Sequence, residues 1–116
     1  LVVPVPLSDP AAVDPEEAFV SALSACHMLW FLSIAAARRF CVDTYTDRAE
    51  GVMAGNAHGK LAMSLVTLRP HVLFSSSHRP SPDEFLSMHR QAHEECFIAN
   101  SVRTEVQCEP VLLFAG

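Results

Sequence analysis

Two of the four cysteines lie in helical stretches whose composition could give their thiols a chemical role. Cys26 lies in the middle of an apolar stretch over residues 18–32, and Cys96 lies near the end of an amphipathic stretch. A thiol in an apolar helix is commonly a small, inert hydrophobic group, and its reactivity rather than its packing decides whether it matters. Two such thiols on the core-facing sides of two helices suggest a dithiol that is reversibly oxidised to a disulfide. Simple core packing remains the alternative for both.

The other two cysteines are expected to be structural. Cys108 falls on the inward side of a segment with strict alternation of apolar and polar residues, which is typical of a half-buried strand. Cys41 begins a predicted strand just after the first helix. Both are interpreted as packed thiols.

Histidines on the second predicted helix offer a different kind of chemistry. His89, His93 and Cys96 have i, i+4, i+7 spacing, which places them along one helical face, and His27 adjoins Cys26. Such a group could hold zinc. The pattern lacks the pair of cysteines separated by two residues that is typical of a structural zinc site. The histidines could equally lie at the edge of the core, so we expect no metal and no cofactor.

The composition favours one soluble domain without a nucleic-acid partner. The chain has 116 residues, half of them apolar, 18% charged, and a net charge of −5. Its basic residues are scattered, unlike the clustered positive surface that nucleic-acid binding needs. Four cysteines do not suggest a disulfide scaffold, and the opening residues lack the pattern of a secretory leader. We therefore expect a reducing, cytoplasmic location.

The first helix is predicted to begin after Asp14 and to run to about Arg39, with residues 1–12 extended before it. Asp14, Pro15 and Glu16 are a capping residue, a proline at the first helical position and an acid in the first turn. Residues 18–37 contain no charged side chain and are long enough to span a bilayer. Interspersed serines, one histidine and many alanines instead favour a central helix that is buried on all sides, with no membrane partner.

The remaining segments predict one more helix and a β-sheet. Residues 42–54 and 61–74 indicate an antiparallel hairpin around a glycine-containing turn, with Pro70 marking a bulge or an edge. A second helix is predicted to begin at Ser81, with Cys96 in the middle of its buried side, and a strand covers Val102–Cys108. This order of elements indicates an α+β fold.

Two segments together resemble the OsmC/Ohr family, the osmotically inducible and organic hydroperoxide resistance proteins. They are DPEEAFVSALSACHM, which begins at Asp14, and AHEECFIANSV, which begins at Ala92. Each segment alone is moderately specific, but both in this order with a hairpin between them are strongly specific. The resemblance covers the chain from Asp14 to Pro110.

The resemblance implies an intertwined α+β homodimer with long buried central helices, and a thiol-dependent peroxidase. By this resemblance Cys26 corresponds to the peroxidatic cysteine, Cys96 to the resolving cysteine and Glu16 to the active-site glutamate. The implied reaction reduces an organic hydroperoxide through a sulfenic acid and a Cys26–Cys96 disulfide, which a dithiol reductant, for example of the lipoyl type, reopens. Glu16 precedes Cys26 by ten residues, about 15 Å along a straight helix. Within one site it would therefore come from the partner chain, or the helix would break between the two residues.

Two departures from the family pattern bear on this interpretation. The family's active-site arginine comes from an N-terminal β-hairpin, and no arginine precedes Arg38. That hairpin is expected to be missing from the single domain over residues 1–116; the alternative is that the pocket is built differently. His27 also stands where many members carry an apolar residue.

A non-catalytic dimer of the same fold that binds an apolar ligand or a metal remains the alternative. Bulky apolar hydroperoxides are the expected substrates, because the side chains expected around the thiols are apolar: Phe19, Leu23, Leu29, Trp30 and Phe97.

Overall fold

The computed structural model describes residues 14–75 and 77–115, so the extended segment predicted for residues 1–12 lies outside the described residues. The α+β class is confirmed. In chain order the elements are α1 (Pro15–Ala37), β1 (Val42–Asp47), β2 (Glu50–Gly55), β3 (Leu61–Leu68), β4 (Pro70–Phe74), α2 (Pro82–Glu95), a 3-10 turn (Ala99–Ser101), β5 (Glu105–Cys108) and β6 (Val111–Phe114).

The helix starts follow the sequence signals. The Asp14 carboxylate accepts a hydrogen bond from the Glu17 amide at 2.8 Å, and Pro15 occupies the first turn. Ser81 and Glu84 form the capping box of α2, in which each side chain bonds the other residue's backbone amide. α1 ends at Ala37, and the chain turns away through Arg39, whose φ of 64° lies in the left-handed region. The predicted start and approximate end of α1 are confirmed.

The strands form two three-stranded sheets, in the orders β1-β4-β6 and β2-β3-β5. The β2–β3 hairpin confirms the antiparallel prediction, and β1 pairs with β4 in the same antiparallel sense. Both sheets are nevertheless mixed, because β5 and β6 pair in parallel with β3 and β4. The chain passes from one sheet to the other at three short links, between β1 and β2, between β3 and β4, and between β5 and β6. β4 begins at Pro70, where the sequence predicted a bulge or an edge.

Arg69 contacts residues at all three links between the sheets. Its amide donates to the Asp47 carboxylate at 2.6 Å, and its guanidinium lies 3.2 Å from Glu50 and 3.1 Å from Glu109. The ion pairs are exposed, so each contributes little by itself. Together these contacts hold the three links close to one another, and one of these links directly follows Cys108 at the end of β5.

The core has two apolar clusters with two histidines between them. The cluster on the β2-β3-β5 sheet consists of Val20, Leu23, Val66 and Leu68. The larger cluster joins the second half of α1, α2 and the other sheet, and consists of Phe31, Ile34, Ala35, Phe40, Val72, Phe74, Phe85, Met88 and Ala92. His27 and His89 are both buried, and His89 stacks on Phe31 with ring centroids 4.1 Å apart.

Helix α1 buries one face within the chain and leaves the other uncovered. Its buried residues include Leu23, His27 and Phe31, and its exposed stripe consists of Ala18, Ala22, Ala25, Leu29, Ser33 and Ala36. α1 is also long and apolar enough, by length and composition, to cross a membrane. A core helix passes the same test, and α1 contacts α2 and three strands. The described residues of one chain therefore do not bury α1 on all sides, as the sequence predicted, and its exposed face would need a further packing partner.

Candidate active site

Cys26 and Cys96 meet where α1 crosses the end of α2. Cys26 is half-buried and Cys96 is 1% exposed, and both are free thiols. Cys26 and Cys96 are close neighbours, because each thiol shifts the pKa of the other. The two thiols that the sequence singled out therefore share one site.

The backbone around Cys96 differs from the prediction. Cys96 was expected in the middle of a helical face, but α2 ends at Glu95 and Cys96 is its C-cap, with φ −63° and ψ 115°. The chain then turns through Phe97 and Ile98 into the 3-10 turn. Because the helix ends here, the next amides are free to bond sulfur: Ile98 and Phe97 to Cys26, and Ala99 to Cys96 at 3.4 Å.

Asn100 holds this turn in place. Its side-chain amide donates to the carbonyl oxygen of Glu94 at 2.9 Å and to that of Cys96 at 3.0 Å. Its backbone amide also donates to the Cys96 carbonyl at 3.1 Å. These bonds satisfy carbonyls at the end of α2 that have no helical partner, so the amides of residues 97–99 stay aimed at the two sulfurs.

The two thiols are tuned in opposite directions. Partial burial acts to raise the pKa of Cys26, but hydrogen bonds from the Ile98 amide, the Cys96 thiol and the Phe97 amide outweigh it and lower that pKa. The pKa of Cys96 is raised, first by burial and then by its bond to the Cys26 sulfur, despite the Ala99 amide. Cys26 is therefore the thiol that ionises first, and Cys96 is the proton donor beside it.

Glu16 is not brought to these thiols within one chain. It lies in the first turn of α1, ten residues before Cys26, which is about 15 Å along the helix. Its Oε2 atom is buried and has no hydrogen-bond partner among the described residues. Among the described residues, the groups that lower the pKa of Cys26 are the backbone amides of Ile98 and Phe97 and the Cys96 thiol.

The apolar side chains expected around the thiols divide into two groups. Leu23 belongs to the core, and Phe19 packs against the same cluster. Leu29 and Phe97 are 64% and 69% exposed, and the Trp30 and Phe97 rings meet edge to face at 5.5 Å. With Ser33, these last three residues line an open depression of about 240 Å³. Because Leu29 and Trp30 lie three and four residues after Cys26, this apolar surface adjoins the thiol.

The potential metal ligands meet in a combination that the spacing did not predict. Among the described residues, the one group of three such side chains within coordinating distance is His27, His89 and Cys108. Cys96 instead contacts Cys26, and His93 is exposed. The grouping of His89, His93 and Cys96 is therefore wrong. Cys108 is half-buried beside the two rings, and the only sequence signal for it was its inward position on a strand.

Cys41 was expected to be packed, and the structure shows it exposed. It precedes β1, which begins at Val42, and its thiol lies 3.9 Å from the Asp43 carboxylate. At the edge of the described fold it has no apolar cover. Its exposure makes it a useful reference thiol.

The family of this protein follows from both sequence and structure. The OsmC-like protein family matches residues 8–111. The chain belongs to this family. A solved OsmC-like protein of unknown function from Vibrio cholerae O1 biovar eltor str. N16961 is 57% identical, with a TM-score of 0.89 over 94% of this chain and 71% of that one.

Two further OsmC-fold structures are named for organic hydroperoxide resistance. The Legionella pneumophila protein is 18% identical, with a TM-score of 0.68 over 90% of this chain and 72% of that one. OhrB of Bacillus subtilis is 18% identical, with a TM-score of 0.68 over 90% and 78%. At this identity they show the shared fold. None of the curated proteins matches the chain by sequence.

Proposed function

We propose that this OsmC-like chain is a thiol-dependent peroxidase that reduces organic hydroperoxides. The observation that carries the proposal is the Cys26–Cys96 pair, in which the more accessible thiol has the lowered pKa and the buried thiol the raised one. A peroxidatic thiol needs to be a thiolate and a resolving thiol needs to stay protonated until it is used. The pair meets both requirements without a metal or a cofactor.

The reaction then follows in three balanced steps. The Cys26 thiolate attacks the O–O bond of the hydroperoxide, forming a sulfenic acid and releasing an alkoxide that takes up a proton to become an alcohol. The Cys96 thiol attacks the sulfenic sulfur, forming a disulfide and releasing water. An external dithiol, for example of the lipoyl type, reduces the disulfide by exchange and is itself oxidised to a disulfide.

Backbone amides stabilise the Cys26 thiolate in this chain, which is the role expected of the arginine in the family. A thiolate in an apolar setting needs hydrogen-bond donors or positive charge. The amides of Ile98 and Phe97 and the Cys96 thiol provide three donors at Cys26. These donors are fixed by the turn after α2, so they require no reorganisation when the thiolate forms.

The apolar depression supports an alkyl or aryl hydroperoxide over hydrogen peroxide. Leu29, Trp30 and Phe97 offer apolar surface beside Cys26. A substrate group that hides about 100 Å² on this surface gains roughly 2.5 kcal/mol at about 25 cal/mol per Å². That gain corresponds to tens-fold in kcat/KM, since each factor of ten is about 1.4 kcal/mol.

We propose that the working unit is a cytoplasmic homodimer. The uncovered stripe of α1 consists of small and apolar residues, which allow a second helix to approach closely. Such a dimer would cover α1, and by the family resemblance its second chain would supply Glu16 to this site. Sedimentation at micromolar concentration checks this state, and a monomer would refute it.

The activity is tested by following tert-butyl hydroperoxide consumption with a dithiol reductant. Cys26→Ser is expected to reduce turnover to the background rate, whereas Cys41→Ser, which changes an exposed thiol away from the site, should keep it. Cys96→Ser should allow one turnover without dithiol and leave Cys26 as a sulfenic or higher acid. Unchanged consumption by Cys26→Ser would refute the proposal.

A further inference from the structure

A second cluster of reactive side chains lies on the neighbouring face of α1, away from the thiol pair. His27 Nε2 and His89 Nδ1 are 2.9 Å apart, and Cys108 Sγ lies 3.9 Å from each of these nitrogens. The three residues come from α1, α2 and the end of β5. The proposed peroxidase reaction uses none of them.

These distances are close to those of a tetrahedral zinc site. With Zn–N of about 2.05 Å and Zn–S of about 2.3 Å, tetrahedral angles put the nitrogens about 3.3 Å apart and each nitrogen about 3.6 Å from sulfur. Each observed distance differs from these by about 0.3 to 0.4 Å. The imidazole planes are nearly parallel, at 3°, so small ring rotations would aim both lone pairs at a shared ion.

We propose that His27, His89 and Cys108 bind one Zn²⁺ ion per chain. Two imidazoles and one thiolate form a mixed nitrogen and sulfur set that zinc accepts, with a fourth position left for water or another side chain. The coordinated residues would join α1, α2 and β5 at the junction between the two apolar clusters.

The protonation of the histidines suits metal binding. Burial lowers the pKa of His27 to about 4 and that of His89 to about 3, so both rings are neutral near pH 7 and each has a lone pair to offer. Burial also raises the pKa of Cys108 to about 12, so in the empty site it is a neutral thiol. Zinc would replace this thiol proton, which leaves to solvent. The ring whose N–H lies between His27 Nε2 and His89 Nδ1 would carry that proton on its other nitrogen instead, so that both facing nitrogens have a lone pair for the ion.

The surroundings of the cluster favour a cation. The Asp47 carboxylate acts to raise the pKa of both His27 and Cys108, which shows that its negative charge is felt at the site. Two buried polar atoms next to this region, Tyr45 Oη and His89 Nε2, have no hydrogen-bond partner among the described residues. A zinc ion would compensate the negative charge of Asp47 at this site.

An ion can reach the cluster from solvent. His89 and Cys108 line a groove of about 390 Å³, together with His93, Arg90, Val106 and Pro110. His93 lies one helical turn after His89 and is exposed. Water from this groove would supply the fourth ligand.

Zinc content and cobalt spectroscopy test the proposal on the full chain. After chelation and reloading with Zn²⁺, we expect one ion per chain by elemental analysis, and with Co²⁺ an absorption band from a single cobalt–thiolate bond. Cys108→Ser should weaken zinc binding more than about 100-fold, since substitutions in the outer shell of metal sites already cost 10 to 100-fold. His89→Phe should have the same effect and fits the aromatic contacts of His89 with Phe31 and Phe85.

The controls separate this site from the catalytic dithiol. Cys41→Ser and the double variant Cys26→Ser/Cys96→Ser should retain zinc and the cobalt–thiolate band. Zinc that is lost from the double variant and retained by Cys108→Ser would overturn the proposal, because the ion would then sit on the other thiols. A wild-type chain without a cobalt–thiolate band would also overturn it, whether or not the variants fold.

Discussion

Cys26 and Cys108 are both half-buried thiols beside α1, yet their surroundings give them opposite chemistry. Cys26 meets two backbone amides and a thiol at a helix end, and its pKa is lowered. Cys108 meets neutral imidazoles, and burial together with Asp47 and Glu109 raises its pKa to about 12. The comparison shows that fixed hydrogen-bond donors, rather than exposure alone, decide which cysteine can act as a nucleophile.

The largest expected effect is on relative alkylation rates. With a chelator present at pH 7.5, we expect iodoacetamide to modify Cys26 readily and to leave Cys108 almost unmodified over the same time, because the pKa of Cys26 is lowered whereas that of Cys108 is raised to about 12. Peptide mapping over time measures both rates, with Cys41 as an exposed reference. Comparable labelling of Cys26 and Cys108 would show that the hydrogen-bond donors around Cys26 do not make it the more reactive thiol.

A cavity at the histidine pair should strongly destabilise the chain. Phe31 is fully buried and stacks on His89, so Phe31→Ala should lower the free energy of unfolding by about 3 to 5 kcal/mol. Leu61→Ala, in an exposed position, should change it by less than about 0.5 kcal/mol. Denaturant unfolding at one protein concentration measures both. A small effect of Phe31→Ala would show that this region is not the centre of the core.

The buried histidines should make the metal-free fold sensitive to acid. The pKa of His27 falls from 6.5 to about 4, through burial and then the His93 charge, with Asp47 opposing. Because the unfolded chain binds the proton first, stability is full above pH 6.5 and falls as the pH drops towards 4. The loss from His27 alone is about 3 kcal/mol.

Unfolding measured at several pH values with a chelator checks this slope. His89→Phe, which removes one member of the pair, should reduce the slope between pH 6.5 and 4. His58→Gln, in an exposed turn, should leave it unchanged. If all three proteins had the same slope, carboxylates rather than these histidines would govern the acid sensitivity.

The smallest expected effect concerns the turn that holds the Cys26 donors. Asn100→Ala removes two side-chain hydrogen bonds, to the carbonyls of Glu94 and Cys96. A loss of about 1 kcal/mol of thiolate stabilisation would lower the Cys26 alkylation rate several-fold. Ser64→Ala, which removes an exposed bond to Val52 far from this turn, is the control. An unchanged rate would show that the turn keeps its shape without Asn100.

The sequence predicted the fold best where local signals were strong. Asp14 and Ser81 are helix caps in the structure, and the glycine-containing turn joins β2 and β3. The alternation around Cys108 matches alternating exposure along β5. The parallel pairing of β5 and β6 was missed, because parallel neighbours are distant in sequence and leave no local pattern.

The family, the helix starts and the choice of Cys26 and Cys96 as candidate redox thiols could be read from the chain alone, because caps, periodicity and two motifs are local features. The tertiary structure decided what the thiols are next to. It ended α2 at Cys96 and so turned the Phe97 and Ile98 amides towards Cys26. It also joined His27, His89 and Cys108 across three elements. Hydrogen-bond donors and metal ligands act through distances of a few ångströms, and only the packed chain sets those distances.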